Sequence, residues 1–228
     1  MSAVETPTDT VTIDAAVPAP LRMSYEEWLQ WDHQGSVTEW VDGEVIVDMP
    51  PLDEDQRIVG LLATLLNLFV QIYELGIIRL APFTMRIRAD GPAREPDLFF
   101  LAKEHRERLT QHALVGPADL IVEVVSQESI ARDRSDKFYE YQEGGVREYW
   151  IIDPRAGKQR VDLYVLDAQG RYQPVPPTAE GIYYSSVLPG FWVNEAWLWA
   201  EEPNALAALA AIVGPERLLA ALQSQTTA

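Results

Sequence analysis

The chain has 228 residues, 47% of them hydrophobic and seven of them Trp, enough for one sizeable core in a single domain with tails. Against 18 Lys and Arg stand 35 Asp and Glu, a net charge of -17 that repels polyanions unless bound divalent cations or a local cationic strip reverse the field. Cysteine is absent, which excludes disulfide frameworks, thiol catalysis and cysteine-ligated zinc. No stretch reaches the roughly 18 apolar residues of a membrane span, and no positively charged apolar leader precedes Arg22, so the expectation is a cytoplasmic protein with no membrane partner.

Residues 1–21, mostly Thr, Pro, Ala and Val without periodicity, read as a disordered arm. Ser24-Tyr25-Glu26-Glu27 is a capping box opening a short helix through Trp28, Leu29 and Trp31. Two alternating runs, at residues 37–41 and 44–48, flank Asp42-Gly43 and predict a hairpin with a two-residue turn. From residue 54 to 75 the apolar positions Ile58, Leu61, Leu62, Leu65, Leu66, Phe69 and Ile72 predict the main core helix, with Gly76 as its C-terminal cap. Strands follow near 83–88 and 97–101, then a short charged helix at 103–109. After a strand at 119–126, residues 130–142 read as a helix stopped by Gly144-Gly145. Strands at 147–152 and 160–166 enclose a turn at Asp153-Pro154, and residues 172–184, broken by three prolines, read as an edge or loop. Residues 201–228 form a C-terminal extension, with two short Ala- and Leu-rich helices interrupted by Gly214-Pro215, leaving 22–200 as the main domain. The mixed order predicts α/β (or α+β), a mixed sheet with helices on its faces.

Glu123 is the most informative residue. It sits in Leu120-Ile121-Val122-Glu123-Val124-Val125, apolar at both parities and so covered on both faces, where an unpaired carboxylate costs several kcal/mol. A cation, a metal or catalysis must justify it. Asp97 opens the preceding strand after Pro96, and two carboxylates on neighbouring strands can share a divalent cation. Wrapping residues 130–145 at about 100° per residue puts Lys137 on the stripe facing the sheet, between Ile130 and Tyr141, with Glu123 its natural partner. Such a set suits phosphodiester hydrolysis: carboxylates hold magnesium, and the ammonium orients water or the scissile phosphate. Glu39, on the first hairpin, is a plausible fourth ligand.

Blander readings stand beside these. Lys137 also fits an i,i+4 ion pair with Asp133, Glu123 a structural pairing with Arg147 or Arg94, and Glu39 a solvent-facing hairpin position. Arg132, Arg134 and Arg147 could touch phosphates, with Arg86 and Arg88 extending the strip, or form a solvated face. Trp150, Tyr149 and Tyr164 could stack on bases but suit the core better. His33, His105 and His112 lack metal-ligand spacing and are expected at the surface. Neither a nucleophile elbow, a phosphate-binding loop nor a dinucleotide fingerprint is present.

Several segments taken together carry a resemblance. Glu39-Trp40-Val41-Asp42-Gly43-Glu44, Pro96-Asp97, Glu123-Val124-Val125-Ser126, Lys137 to Tyr141, Gly145-Val146-Arg147-Glu148-Tyr149-Trp150 and Asp153-Pro154 resemble the Uma-two family of restriction endonucleases, in the PD-(D/E)XK nuclease superfamily, over roughly residues 22–200. The resemblance implies a restriction-endonuclease-like fold and a magnesium-dependent DNA endonuclease, manganese being a possible substitute. Glu39, Asp97, Glu123 and Lys137 would be catalytic, the three carboxylates binding metal and the lysine moved from the strand to the following helix. A homodimer follows by analogy, since two symmetric sites cut both strands of a duplex. One departure is that family members often carry a His at the start of the long helix, where this chain has Asp53-Glu54-Asp55-Gln56, and Gln56 can hydrogen-bond but cannot act as a base. The alternative is a catalytically silent binding or scaffold protein on the same fold.

Overall fold

The computed structural model of the protein describes residues 20–31 and 36–224. Most of the expected N-terminal arm, and His33, lie outside the described residues.

β1 (Leu21–Arg22) precedes α1 (Tyr25–Gln30), whose capping box is formed as expected by Ser24 and Glu27. β2 (Thr38–Val41) and β3 (Glu44–Val47) make the hairpin, with Asp42 and Gly43 at φ 51° and 85° in the turn. With β1 they form a small sheet over Trp28, Val45 and Ala93. The long helix α2 (Asp53–Ile72) ends before the expected glycine cap: Glu74 takes the left-handed turn at φ 52°, and Gly76 opens β4 (Gly76–Leu80), a strand not expected from the sequence. The glycine serves sheet packing. A Cβ at position 76 would lie 2.1 Å from the Leu101 carbonyl oxygen.

β5 (Thr84–Arg86), β6 (Leu98–Ala102), a 3-10 turn at Lys103–Arg108, β7 (Ala113–Val115) and β8 (Leu120–Val124) follow. The next helix is not uniform: a π segment, Arg132–Asp136, precedes α3 (Lys137–Gly144), which stops at Gly145 with φ 84°. β9 (Glu148–Asp153), β10 (Arg160–Leu166) and β11 (Tyr172–Val175) come next, the last a sheet edge as Pro174 requires. β12 (Ile182–Tyr184) pairs with β13 (Trp192–Asn194), and α4 (Glu195–Trp199), α5 (Ala205–Val213) and α6 (Pro215–Ser224) complete the chain.

The main sheet has six strands in the order β11-β10-β9-β8-β6-β4, parallel only between β8 and β9. This is the expected mixed sheet flanked by helices. Leu120, Val122 and Val124 of β8 face the core under α2, where Leu62, Leu65, Leu66 and Phe69 are buried, and Leu209 and Val213 of α5 join that core. The opposite parity, Ile121 and Val125, faces a second core with Tyr141 of α3, Tyr149 and Met85. Period 2 therefore aims Glu123 at α3, which is how a carboxylate comes to lie inside a doubly covered sheet.

Candidate active site

The start of α2, the approach to β6, β8 and the π segment with α3 converge on one cleft of about 230 Å³. Asp97, Glu123, Asp133 and Lys137 line it, with Asp48, Gln56 and Arg132 among the other wall residues. Lys137 Nζ lies 2.9 Å from Glu123 Oε1, 2.9 Å from Glu39 Oε1 and 3.2 Å from Asp133 Oδ1. The expected Glu123–Lys137 contact and the Asp133 pairing coexist, and both are buried. The Tyr141 hydroxyl donates to the same Glu123 oxygen at 2.9 Å.

Two local devices aim these side chains. Ser126 and Ser129 exchange hydrogen bonds, each backbone N–H donating to the other's hydroxyl, and so fix the turn from β8 into the helix. The π segment then widens the first turn, with the Lys137 N–H donating to the Arg132 carbonyl, so that Arg132, Asp133 and Lys137 all reach the cleft. A wheel drawn at about 100° per residue does not contain this widening.

Glu39 occupies a different position from the solvent-facing hairpin site. It is fully buried, because Trp40 makes two backbone hydrogen bonds to Ala93 and brings the Ala93-Arg94 segment against β2. Its Oε2 takes Arg94 at 2.9 Å and Arg132 Nε at 3.2 Å, while Oε1 faces Lys137. Burial alone would raise its pKa, but Lys137, Arg94 and Arg132 outweigh that and hold it at about 2. Arg94 also forks onto Glu140 at 2.8 and 3.0 Å, and Arg132 onto Asp48. Glu39 is therefore the centre of an ion network that locks the hairpin, α3 and the lysine together.

The carboxylates on the cleft side are less well compensated. Asp97 Oδ2 accepts the Val124 N–H at 2.7 Å, yet desolvation, with Asp133 and Asp48 nearby, raises its pKa to about 6. Glu123 is also raised, by burial first and then by Asp133, Asp97 and Glu39 against the opposing Lys137. Burial would lower the lysine, but Glu123, Glu39 and Asp133 push it well above its ordinary value, so it stays an ammonium. The site holds more negative charge than its own cations neutralise. Among the described residues no three acidic or His side chains form a ready metal cage. Two hard carboxylates at one cleft nonetheless suit magnesium or manganese, which commonly take one or two protein carboxylates and complete their shell with water and phosphate oxygens.

The remaining candidates lie elsewhere. Arg134 pairs with Asp162 at 2.6 Å and Arg147 with Asp119 at 3.5 Å, so neither meets Glu123. Arg86 lies 3.7 Å over the Tyr25 ring. Tyr149 and Trp150 are core residues, and Tyr164 is half-buried. His112 is exposed as expected, whereas His105 is half-buried on Asp119 at 2.9 Å. Sequence reasoning undervalued Asp133 and Arg94; the i,i+4 spacing from Lys137 was the available signal for the first.

A sequence model of the Uma2 (Uma-two) family, described as "putative restriction endonuclease", matches residues 24–196, well over half of the chain. The chain belongs to the Uma2 family. The match spans every strand that shapes the cleft and stops within α4, before α5 and α6. Among solved structures, the chain is similar to a crystal structure of a "putative nuclease belonging to DUF820" from Anabaena variabilis, with a TM-score of 0.61 and 16% identity over 80% of this chain and 98% of that one. At that identity the likeness concerns the fold. No curated protein matches the sequence. In this Uma2 chain Gln56 is exposed at the cleft wall, and Asp55 beside it also lines the cleft.

Proposed function

We propose that this Uma2 protein is a metal-dependent endonuclease that hydrolyses phosphodiester bonds of DNA. The observation that carries the reading is the buried Glu123–Lys137 pair, 2.9 Å apart, opening on a cleft that also holds Asp97. Asp97 and Glu123 would hold magnesium, with manganese as a substitute, and a bound divalent ion would acidify water and neutralise charge on the phosphoryl group. Lys137, kept cationic by its three carboxylates, offers positive charge at the cleft wall and orients water or a phosphate oxygen. Glu39, enclosed by Arg94, Arg132 and Lys137, acts on the reaction through Lys137 by fixing its position.

The acidic balance fits this assignment. With a net charge of -17, phosphate approach depends on divalent cations screening the cleft, so binding should require metal and weaken with monovalent salt. The reading includes a homodimer, in which two symmetric sites cut both strands, and a cytoplasmic setting.

The test is thermal melting of wild type and Glu123→Ala with and without magnesium or manganese, beside plasmid nicking. Support is a metal-induced rise in melting temperature confined to wild type, with nicking that Lys137→Ala abolishes. A metal response without nicking points to the catalytically silent alternative, and neither response refutes the metal site.

A further inference from the structure

Asp133, like Glu123, is a buried carboxylate beside Lys137, but it is held differently. Glu123 receives hydrogen bonds from Lys137 and Tyr141. Asp133 is 1% exposed, and its Oδ1, shut off from solvent, accepts no hydrogen bond. Lys137 Nζ lies 3.2 Å from that oxygen but outside hydrogen-bonding alignment. A buried carboxylate oxygen without a hydrogen-bond donor is a standing cost to the fold, one that Asp133 Oδ1 shares with Glu39 Oε1 across the same lysine. The lysine does not require it, having Glu39 and Glu123 at 2.9 Å each. Asp133 is nevertheless carried to the cleft wall by the π segment, a widened turn of the kind that recurs at functional sites.

Hydrolysis needs a group to take the proton of the attacking water. Lys137 is an ammonium and has no lone pair to offer, and Gln56 is an amide. Asp97 and Glu123 are assigned to metal, and Glu39 is enclosed by cations. Asp48 is tied to Arg132, Asp55 to the Leu52 N–H and Glu95 to the Thr38 N–H, while Glu128 is exposed at the mouth. Asp133 is the buried cleft carboxylate whose Oδ1 is held only by its ion pair with Lys137, at 3.2 Å, and accepts no hydrogen bond.

We propose that Asp133 is the catalytic proton acceptor of this site, an inference that rests on the nuclease reading. As the water oxygen bonds to phosphorus, its O–H bond breaks and the proton passes to the Asp133 carboxylate. The P–O bond to the leaving nucleoside oxygen breaks, and that oxygen is protonated from solvent. Asp133 then returns its proton to solvent. The adjacent ammonium stabilises the carboxylate before the transfer and orients the water for it.

The experiment compares wild type, Asp133→Asn and Lys137→Ala in magnesium-dependent plasmid nicking, in binding of a labelled short duplex with magnesium present, and in thermal melting. Asn matches Asp in shape but cannot accept the proton. The expected result is nicking reduced about 10²- to 10⁴-fold, duplex binding unchanged, and a melting temperature no lower than wild type because the orphaned charge is gone. Asp133→Asn that nicks within about tenfold of wild type while Lys137→Ala is inactive overturns the assignment and leaves the nuclease reading intact. A melting temperature well below wild type, or duplex binding lost in step with nicking, also overturns it, by making Asp133 structural or substrate-binding. Wild type that binds duplex but never nicks removes the nuclease reading itself, and this assignment with it.

Discussion

Asp97→Asn should stabilise the metal-free protein, and the gain should depend on pH with a fixed sign. In the fold the Asp97 carboxyl titrates at about 6, against an ordinary 3.8. Because the folded-state value is the higher one, the folded protein binds this proton more tightly than the unfolded chain does. The associated stability is fully present below about pH 3.8 and is lost as pH rises through about 6. A displacement from 3.8 to about 6 corresponds to about 3 kcal/mol at roughly 1.4 kcal/mol per pH unit, an upper limit because the side chain reaches an open cleft. Asn keeps an acceptor for the Val124 N–H, now 2.7 Å from the carboxylate, and has no charge to bury. Melting curves in chelator should therefore coincide near pH 3.5 to 4 and separate by up to about 6–12 °C at pH 8, taking about 2–4 °C per kcal/mol for a domain of this size. Glu123 is raised by the Asp97 charge among others, so the two acids titrate as a pair and the variant also relieves its neighbour. Adding magnesium should then raise the melting temperature of wild type and leave Asp97→Asn unmoved. A variant that melts below wild type at pH 8 in chelator, or a difference that does not change with pH, refutes the picture of an under-neutralised cleft.

Lys137→Met leaves Glu123, Glu39 and Asp133 facing one another without their shared cation and should cost about 3–5 kcal/mol in urea unfolding at pH 7, less in acid where the carboxylates protonate. Gly76→Ala forces a Cβ to within 2.1 Å of the Leu101 carbonyl and should cost about 3 kcal/mol in the same assay, with amide exchange accelerated along β4; unchanged stability would contradict the strand register. Glu148→Gln should cost about 1–3 kcal/mol. Oε1 accepts Trp150 Nε1 at 2.7 Å while Oε2 accepts the N–H groups of Ser186 and Val187 at 2.7 and 3.0 Å, so either orientation of the amide sets a donor against a donor, which limited proteolysis near residues 185–188 would reveal.

Local chemistry made some elements readable in advance. Asp42-Gly43 has few options other than a two-residue turn, and Ser24 with Glu27 satisfies two orphan N–H groups whatever surrounds them. The Glu123–Lys137 contact was readable for a related reason: a charge in a doubly apolar strand and a cation on an inward stripe each need a partner, and the turn between them is short. Gly76 was misassigned because a glycine after a helical run satisfies a helix cap and a close strand approach equally well, and only the Leu101 carbonyl on a distant strand separates the two. β12, β13 and α4 escaped because their runs are very short, three, three and five residues. The π segment has no periodic signature, since five residues of Arg, Asp and Ser carry no apolar stripe that would betray a change of pitch.

Partner choice for Glu39 was the least legible feature, and it decides how the site divides. Sequence supplies the acids and bases but not the Trp40–Ala93 bridge that delivers Arg94 to β2. Once delivered, Arg94 joins Arg132 and Lys137 around one carboxylate and holds its pKa near 2, whereas Asp97 and Glu123 share a single lysine with Asp133 and are pushed upward. The same network thus has its charge balanced on the hairpin side and is starved of cations on the cleft side. Asn or Gln at Asp97, Glu123 or Asp133 would relieve that imbalance with little change of shape, so the unmet demand for positive charge lies on the side where the cleft opens, where the proposed divalent ion would sit.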